Sequence, residues 1–205
     1  MFLFWRVAYN FGVGLCLHLQ STIGFFHHMQ HANWFWLTAS QVEGDVRKLP
    51  RDVQGWLLYR GLSFFVLTAD GVAFVLMTIR HAEPFNQQAL PLYGLGVLLI
   101  AIHIWVKGAA FAQVGVYAYD YGDFFFRSTK SEFITNTGVY GAIPHPMYTV
   151  GYSGLYGAAC ISQSYTVLVL AVVAHTSQML FLFAWEVPHM DRVWADGSSS
   201  AKKSK

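Results

Sequence analysis

Charge is what this chain lacks most. Asp, Glu, Lys and Arg together make up 12% of its 205 residues, about half the share found in a soluble globular domain. That scarcity excludes an ordinary water-facing surface. The net charge of +2 is too small to draw a polyanion, so nucleic acid is excluded as a partner. Cysteine is scarce too. Cys16 and Cys160 both fall inside apolar runs, which excludes a disulfide framework and a zinc knuckle. A cleavable leader is not expected either. The first apolar block is longer than a signal-peptide core and has no small-residue cleavage site, so it reads as a retained span.

What the chain has is apolar surface. Hydrophobic residues are 55% and aromatics 17%, gathered in blocks near the roughly 20 residues that cross a bilayer. Five segments stand out, at about 2–26, 56–79, 91–111, 147–161 and 165–185. The expected fold is all-α: a polytopic integral membrane helical bundle of about five spans, closing in a C-terminal helical hairpin. One transmembrane domain covers residues 1–194, and the basic tail 195–205 is expected to be disordered. The fourth segment is short, about 22 Å as a helix. Its Gly151, Gly154 and Gly157 recur every third residue, giving a flat face for a neighbouring helix or a ligand. Five spans put Arg47, Lys48, Arg51, Arg127, Lys130, Arg192 and the lysine-rich tail on one side, and little beyond Arg80 on the other. The positive-inside rule makes the first side cytosolic. The closing Lys202-Lys203-Ser204-Lys205 has the form of a receptor-read retrieval signal.

The hairpin returns the chain to the side it left, so His145 and Glu186 are expected to be neighbours. In Pro144-His145-Pro146-Met147-Tyr148 two prolines fix an extended turn around a histidine. A helix is expected to start there, leaving the amides of Met147, Tyr148 and Thr149 to bind an anionic group. Glu186 is a carboxylate at the end of an apolar span and needs a reason to be there. Pro188 is expected to end its helix, with His189 and Asp191 just beyond. His145, Glu186 and His189 are metal-ligand types without metal-ligand spacing, so no metal is expected. A ribose diol, an amino group or a sulfonium-bearing cofactor all suit Glu186. The run Tyr119–Phe126 packs two acids among five aromatics. It reads either as an interfacial aromatic belt or as a site for an ammonium or sulfonium group. His27 and His31 share a helix face without an acid nearby, so they are set aside as metal ligands. Asp70, His103 and His175 are single polar groups inside spans, expected to contact other helices rather than to form a proton path.

These pieces resemble the large, two-repeat phosphatidylethanolamine N-methyltransferases. The wider group of membrane methyltransferases also includes the isoprenylcysteine carboxyl methyltransferases. Phe2-Leu3-Phe4-Trp5-Arg6-Val7-Ala8-Tyr9-Asn10 is similar to the family's opening. Trp105-Val106-Lys107 and Tyr121-Gly122-Asp123-Phe124-Phe125-Phe126 are similar to its middle. Pro144–Tyr152 and Ser164-Tyr165-Thr166-Val167-Leu168 are similar to its hairpin, and Glu186-x-Pro188-His189 to its closing motif. The chain carries one such repeat. The resemblance implies S-adenosyl-L-methionine as methyl donor and phosphatidylethanolamine as acceptor, in phosphatidylcholine synthesis. It implies a donor site at His145, Pro146, Tyr148, Gly151 and Glu186, with Gly138 a further candidate. Asp123, Glu186 and His189 are the candidate proton acceptors. The expected location is the endoplasmic reticulum membrane, with the mitochondrial inner membrane as alternative. The alternative role is a non-catalytic subunit of a larger membrane complex, and a homo-oligomer is left open.

Overall fold

The computed structural model describes residues 1–29, 48–126 and 137–192. The fold is an all-α membrane bundle. Helix α1, Phe2–Ile23, widens into a π turn at Ala8–Val13 and stops at Gly24, whose φ of 66° closes it in the left-handed region. Helix α2 is Phe25–Met29. Helices α3, Arg51–Arg80, and α4, Leu90–Tyr119, are long and predominantly apolar. Helix α5 is the short Gly138–Ala142. Helix α6 is Ser153–Ser162, and α7 runs Tyr165–Arg192. Four of these stretches, α1, α3, α7 and the one containing α4, are long and apolar enough to cross a membrane. Phe64, Val72, Ile79, Val97 and Ile104 stand exposed along α3 and α4, the pattern of helices that face lipid rather than water.

The fourth segment forms only half a span. α6 has 10 residues, about 15 Å of helix. The other half of the depth is filled by irregular backbone from the end of α5 to the 3-10 turn Val150–Tyr152. Such backbone survives at membrane depth only where its polar groups are satisfied, and here they are. The amides of Tyr148 and Thr149 donate to the His145 carbonyl at 2.9 and 3.0 Å, and that of Gly151 to the Pro146 carbonyl at 2.8 Å. From the flanking helices, His175 Nε2 bonds the Tyr148 carbonyl at 2.9 Å and His103 Nδ1 bonds the Gly151 carbonyl. Two expectations are thereby revised. The amides of Tyr148 and Thr149 are spent inside the turn, so they are not left for an anion, and the helix begins at Ser153 because the turn uses the preceding residues. His103 and His175 do serve as contacts between elements.

The glycine face packs against α4. A Cβ on Gly157 would lie 2.6 Å from the Gly96 carbonyl oxygen, and one on Gly96 would lie 2.8 Å from that of Gly157. α6 and α7 form the expected hairpin across Gln163 (φ 50°), and the Ser164 side chain caps α7. The Glu83 amide donates to the Ser162 carbonyl at 2.9 Å, which ties the hairpin tip to the α3–α4 turn. The opening of the hairpin therefore lies at the other end of the bundle. Pro188 does not end α7. The π turn Leu182–Glu186 widens the backbone just before it, so the proline's missing donor and its ring are accommodated and the helix continues to Arg192. α1 turns its polar face inward. Arg6 forms a buried ion pair with Asp70 of α3, and Asn10 donates to Ser177 Oγ of α7 at 2.9 Å. His31, the His27 side chain and the tail 195–205 lie outside what is described.

Candidate active site

At the open end of the hairpin three elements surround a cavity of about 330 Å³. The end of α4 and the turn after it contribute Val114, Tyr119, Tyr121, Asp123 and Phe124. α5 and the connector between it and α6 contribute Tyr140, Pro144, His145, Met147 and Tyr148. The end of α7 contributes Leu182, Glu186, Val187, Met190 and Asp191. His145 and Glu186 therefore share one pocket, as the hairpin reading expects.

Local backbone explains how each side chain gets there. Gly115, at φ 73°, breaks the regular course of α4 and redirects its last turn. Tyr121 follows at φ 59°, in the left-handed region where non-glycine residues are uncommon. It opens the 3-10 turn Gly122–Phe124 that carries Asp123. His145 also sits at φ 47°, flanked by two prolines. Strained backbone of this kind gathers at functional sites, where the surroundings hold it in place. The π turn in α7 includes Glu186, and wide turns of that kind are frequent at such sites.

Hydrogen bonds fix the carboxylate. The Tyr148 hydroxyl donates to Glu186 Oε2, and the Tyr121 hydroxyl lies 2.9 Å from that of Tyr148. Burial first, and then the Glu186 charge, push the Tyr140 phenol up to about 12, so it is a protonated donor at any physiological pH. Among the described residues the lining carries three carboxyl groups, those of Asp123, Glu186 and Asp191. Aromatic rings and carboxylates together make a lining suited to a positively charged guest.

The sequence candidates divide. Asp123, His145, Tyr148 and Glu186 line the cavity. Pro146 is fully buried, and Gly151 lies behind the wall, where a Cβ would come 2.8 Å from the Pro146 carbonyl. Gly138, at φ 57°, packs on Gln113. These three shape the wall rather than face the cavity. His189 is buried on the far side of α7, stacked on Phe124 at 3.5 Å between ring centres, with Nδ1 2.9 Å from Ser21 Oγ. The acid–aromatic run splits as well: Asp123 faces the cavity, while Asp120 bonds Arg60 of α3 at 2.6 Å. Tyr140 and Asp191 also line the cavity, two residues that the sequence does not mark as belonging to a site. Asp191 lies five residues beyond Glu186, about one and a half helical turns, so spacing does not flag it, and nothing local marks Tyr140.

Residues 92–197 match the family described as phospholipid methyltransferase, just over half of the chain. The phosphatidylethanolamine N-methyltransferase of Debaryomyces hansenii is 35% identical over 98% of this chain and 26% of its own length. That of Schizosaccharomyces japonicus is 36% identical over 98% of this chain and 24% of its own. That of Saccharomyces cerevisiae is 35% identical over 97% of this chain and 27% of its own. The chain thus spans about a quarter of the length of the curated relatives it matches. No solved structure matches it.

Proposed function

The chain belongs to the phospholipid methyltransferase family, and from that premise we propose that it moves a methyl group from S-adenosyl-L-methionine to the amine of phosphatidylethanolamine, on the way to phosphatidylcholine. The observation that carries this reading is the cavity lined by tyrosine rings and three carboxyl groups, with Glu186 held by Tyr148. Both reactants arrive with positive charge, the donor as a sulfonium and the lipid as an ammonium that gives up a proton before it reacts, and this lining complements both. The relatives' names support the choice of acceptor.

Bound in the cavity, the cofactor supplies an electrophilic methyl group on a cationic sulfur. The chain's own residues do the rest. Tyr148 fixes the Glu186 carboxylate, and the aromatic rings orient the two reactants in line. The lipid ammonium must lose one proton before its nitrogen lone pair can form the new N–C bond, and a carboxylate takes that proton. Glu186 and Asp123 are the acceptors in reach. His189 faces α1 and is a poorer choice. As the N–C bond forms, the methyl–sulfur bond breaks and its electron pair stays on sulfur, so the charge ends on the methylated amine. Gly138, Pro146 and Gly151 support the donor site by holding the turn that presents His145 and Tyr148.

We assign the enzyme to the endoplasmic reticulum membrane with the cavity facing the cytosol, where a water-soluble donor arrives. Arg51 and Arg192 end their helices on the cavity side and Arg80 on the other, in the sense of the positive-inside rule. The test is donor binding and radiolabelled methyl transfer on the purified protein in lipid. Glu186→Gln should weaken donor binding by about tenfold or more, the usual worth of a charged hydrogen bond. Unchanged binding would reject the assignment of Glu186. Wild-type binding of donor without any transfer would make the chain a non-catalytic relative.

A further inference from the structure

One cation close to the cavity is left unexplained. Lys107 is on α4, seven residues before the lining residue Val114, hence on the same helix face and about 10 Å deeper along the axis. Its Nζ lies 5.2 Å from the ring centre of Tyr152, and a Cβ on Gly151 would sit 3.3 Å from its Cε. Arg6 approaches the hydroxyl of that same tyrosine at 3.5 Å, but Arg6 is matched by Asp70. Among the described residues no acid pairs with Lys107. An ammonium at this depth is costly without a counter-charge, and a ring face offsets only part of that cost. The side of α4 next to it is open: Ile104 and Trp105 are 65% and 62% exposed, and none of the described residues comes within 4 Å of a Cβ on Gly108. Lys107 thus stands where α4 meets the bilayer, with a flexible stem that can lift its charge toward the interface.

We propose that Lys107 binds the phosphodiester of the acceptor phospholipid and holds that lipid beside α4 with its amine turned into the cavity. The inference rests on the function proposed above and adds how the lipid is oriented. An ethanolamine phospholipid is a zwitterion. The described residues offer the complementary pair, an acid-lined cavity and, below it on the same face, the Lys107 cation. The phosphate end and the amine end can each meet opposite charge only in one direction.

The shared chemistry is an anion, which the donor's carboxylate could also supply, so the experiment separates the two. The full chain in mixed micelles is compared with Lys107→Gln and Lys107→Arg. Binding is measured for radiolabelled phosphatidylethanolamine, for phosphate-free diacylglycerol and for S-adenosyl-L-methionine, together with the KM for lipid. Lys107→Gln should weaken phosphatidylethanolamine binding about tenfold, raise the KM for lipid by a like factor, and spare diacylglycerol and donor binding. Lys107→Arg should restore both lipid values. Unchanged phosphatidylethanolamine binding, or an equal loss for diacylglycerol, overturns the proposal. So does a loss confined to the donor, which would assign Lys107 to that molecule. Should Lys107→Gln fail to fold, Lys107→Met, better suited to the bilayer, gives the same comparison. If the wild type transfers no methyl group, the enzyme reading fails while the lipid-binding comparison still judges Lys107.

Discussion

At the scale of single residues the decisive contact is the Tyr148 hydroxyl on the Glu186 carboxylate. A carboxylate at the end of an apolar helix has several rotamers open to it, and the phenol selects one. Tyr148→Phe keeps the ring and deletes that donor. Its expected effect is a roughly ten- to hundredfold fall in kcat/KM, the worth of a hydrogen bond to a charged group. Steady-state kinetics against radiolabelled donor would show it, and an unchanged value would mean that Tyr121 or another group holds Glu186 instead. Tyr140 makes a second prediction, about pH. Its folded value is raised to about 12 from an ordinary value of 10.0, so the folded state holds the proton more tightly than the unfolded chain. Its contribution to stability is complete below about pH 10 and is lost as pH climbs toward about 12. Alkaline unfolding followed by tryptophan fluorescence should begin in that window, and Tyr140→Phe should blunt it.

At the scale of elements the half-helix matters most. α6 covers half of the bilayer depth, and the connector before it is free to line a cavity because His103 and His175 satisfy its carbonyls. A full helix in that place would bury its own backbone groups and leave no pocket. The half-helix is held by close approach to α4 at Gly96 and Gly157, where a Cβ on either glycine would meet the other's carbonyl at 2.8 Å or less. Gly157→Leu must push the two helices apart. A loss of about 1–3 kcal/mol is expected, read as an earlier thermal transition in detergent, with donor binding weakened as the connector shifts. A Gly157→Leu protein with an unaltered transition would show that this contact does not hold α6.

At the scale of the whole molecule the bundle is tied across its middle by Arg6 and Asp70, a buried pair between α1 and α3. Removing one partner leaves a buried charge unmatched and costs about 3–5 kcal/mol, whereas replacing both with apolar residues is often close to neutral. Asp70→Leu should therefore unfold far more readily than wild type in a denaturing-detergent titration, and Arg6→Leu with Asp70→Leu should recover most of the loss. The sequence alone determined the class of the molecule: low charge and long apolar runs leave a membrane helical bundle as the stable solution, because backbone polar groups in lipid are satisfied most simply by helices. It also determined the hairpin, since a short polar break between two apolar segments can only return the chain, and with it the meeting of His145 and Glu186. Tertiary structure alone decided which of the nearby groups enter the cavity. His189 and Glu186 are three residues apart on one helix, yet the widened turn and the stacking on Phe124 send the imidazole toward α1. Asp120 and Asp123 are as close in sequence, yet Asp120 pairs with Arg60 while Asp123 lines the pocket. Spacing along a chain gives the types of side chain within reach; the direction each one takes is set by distant residues that pack against it, and no local pattern contains them.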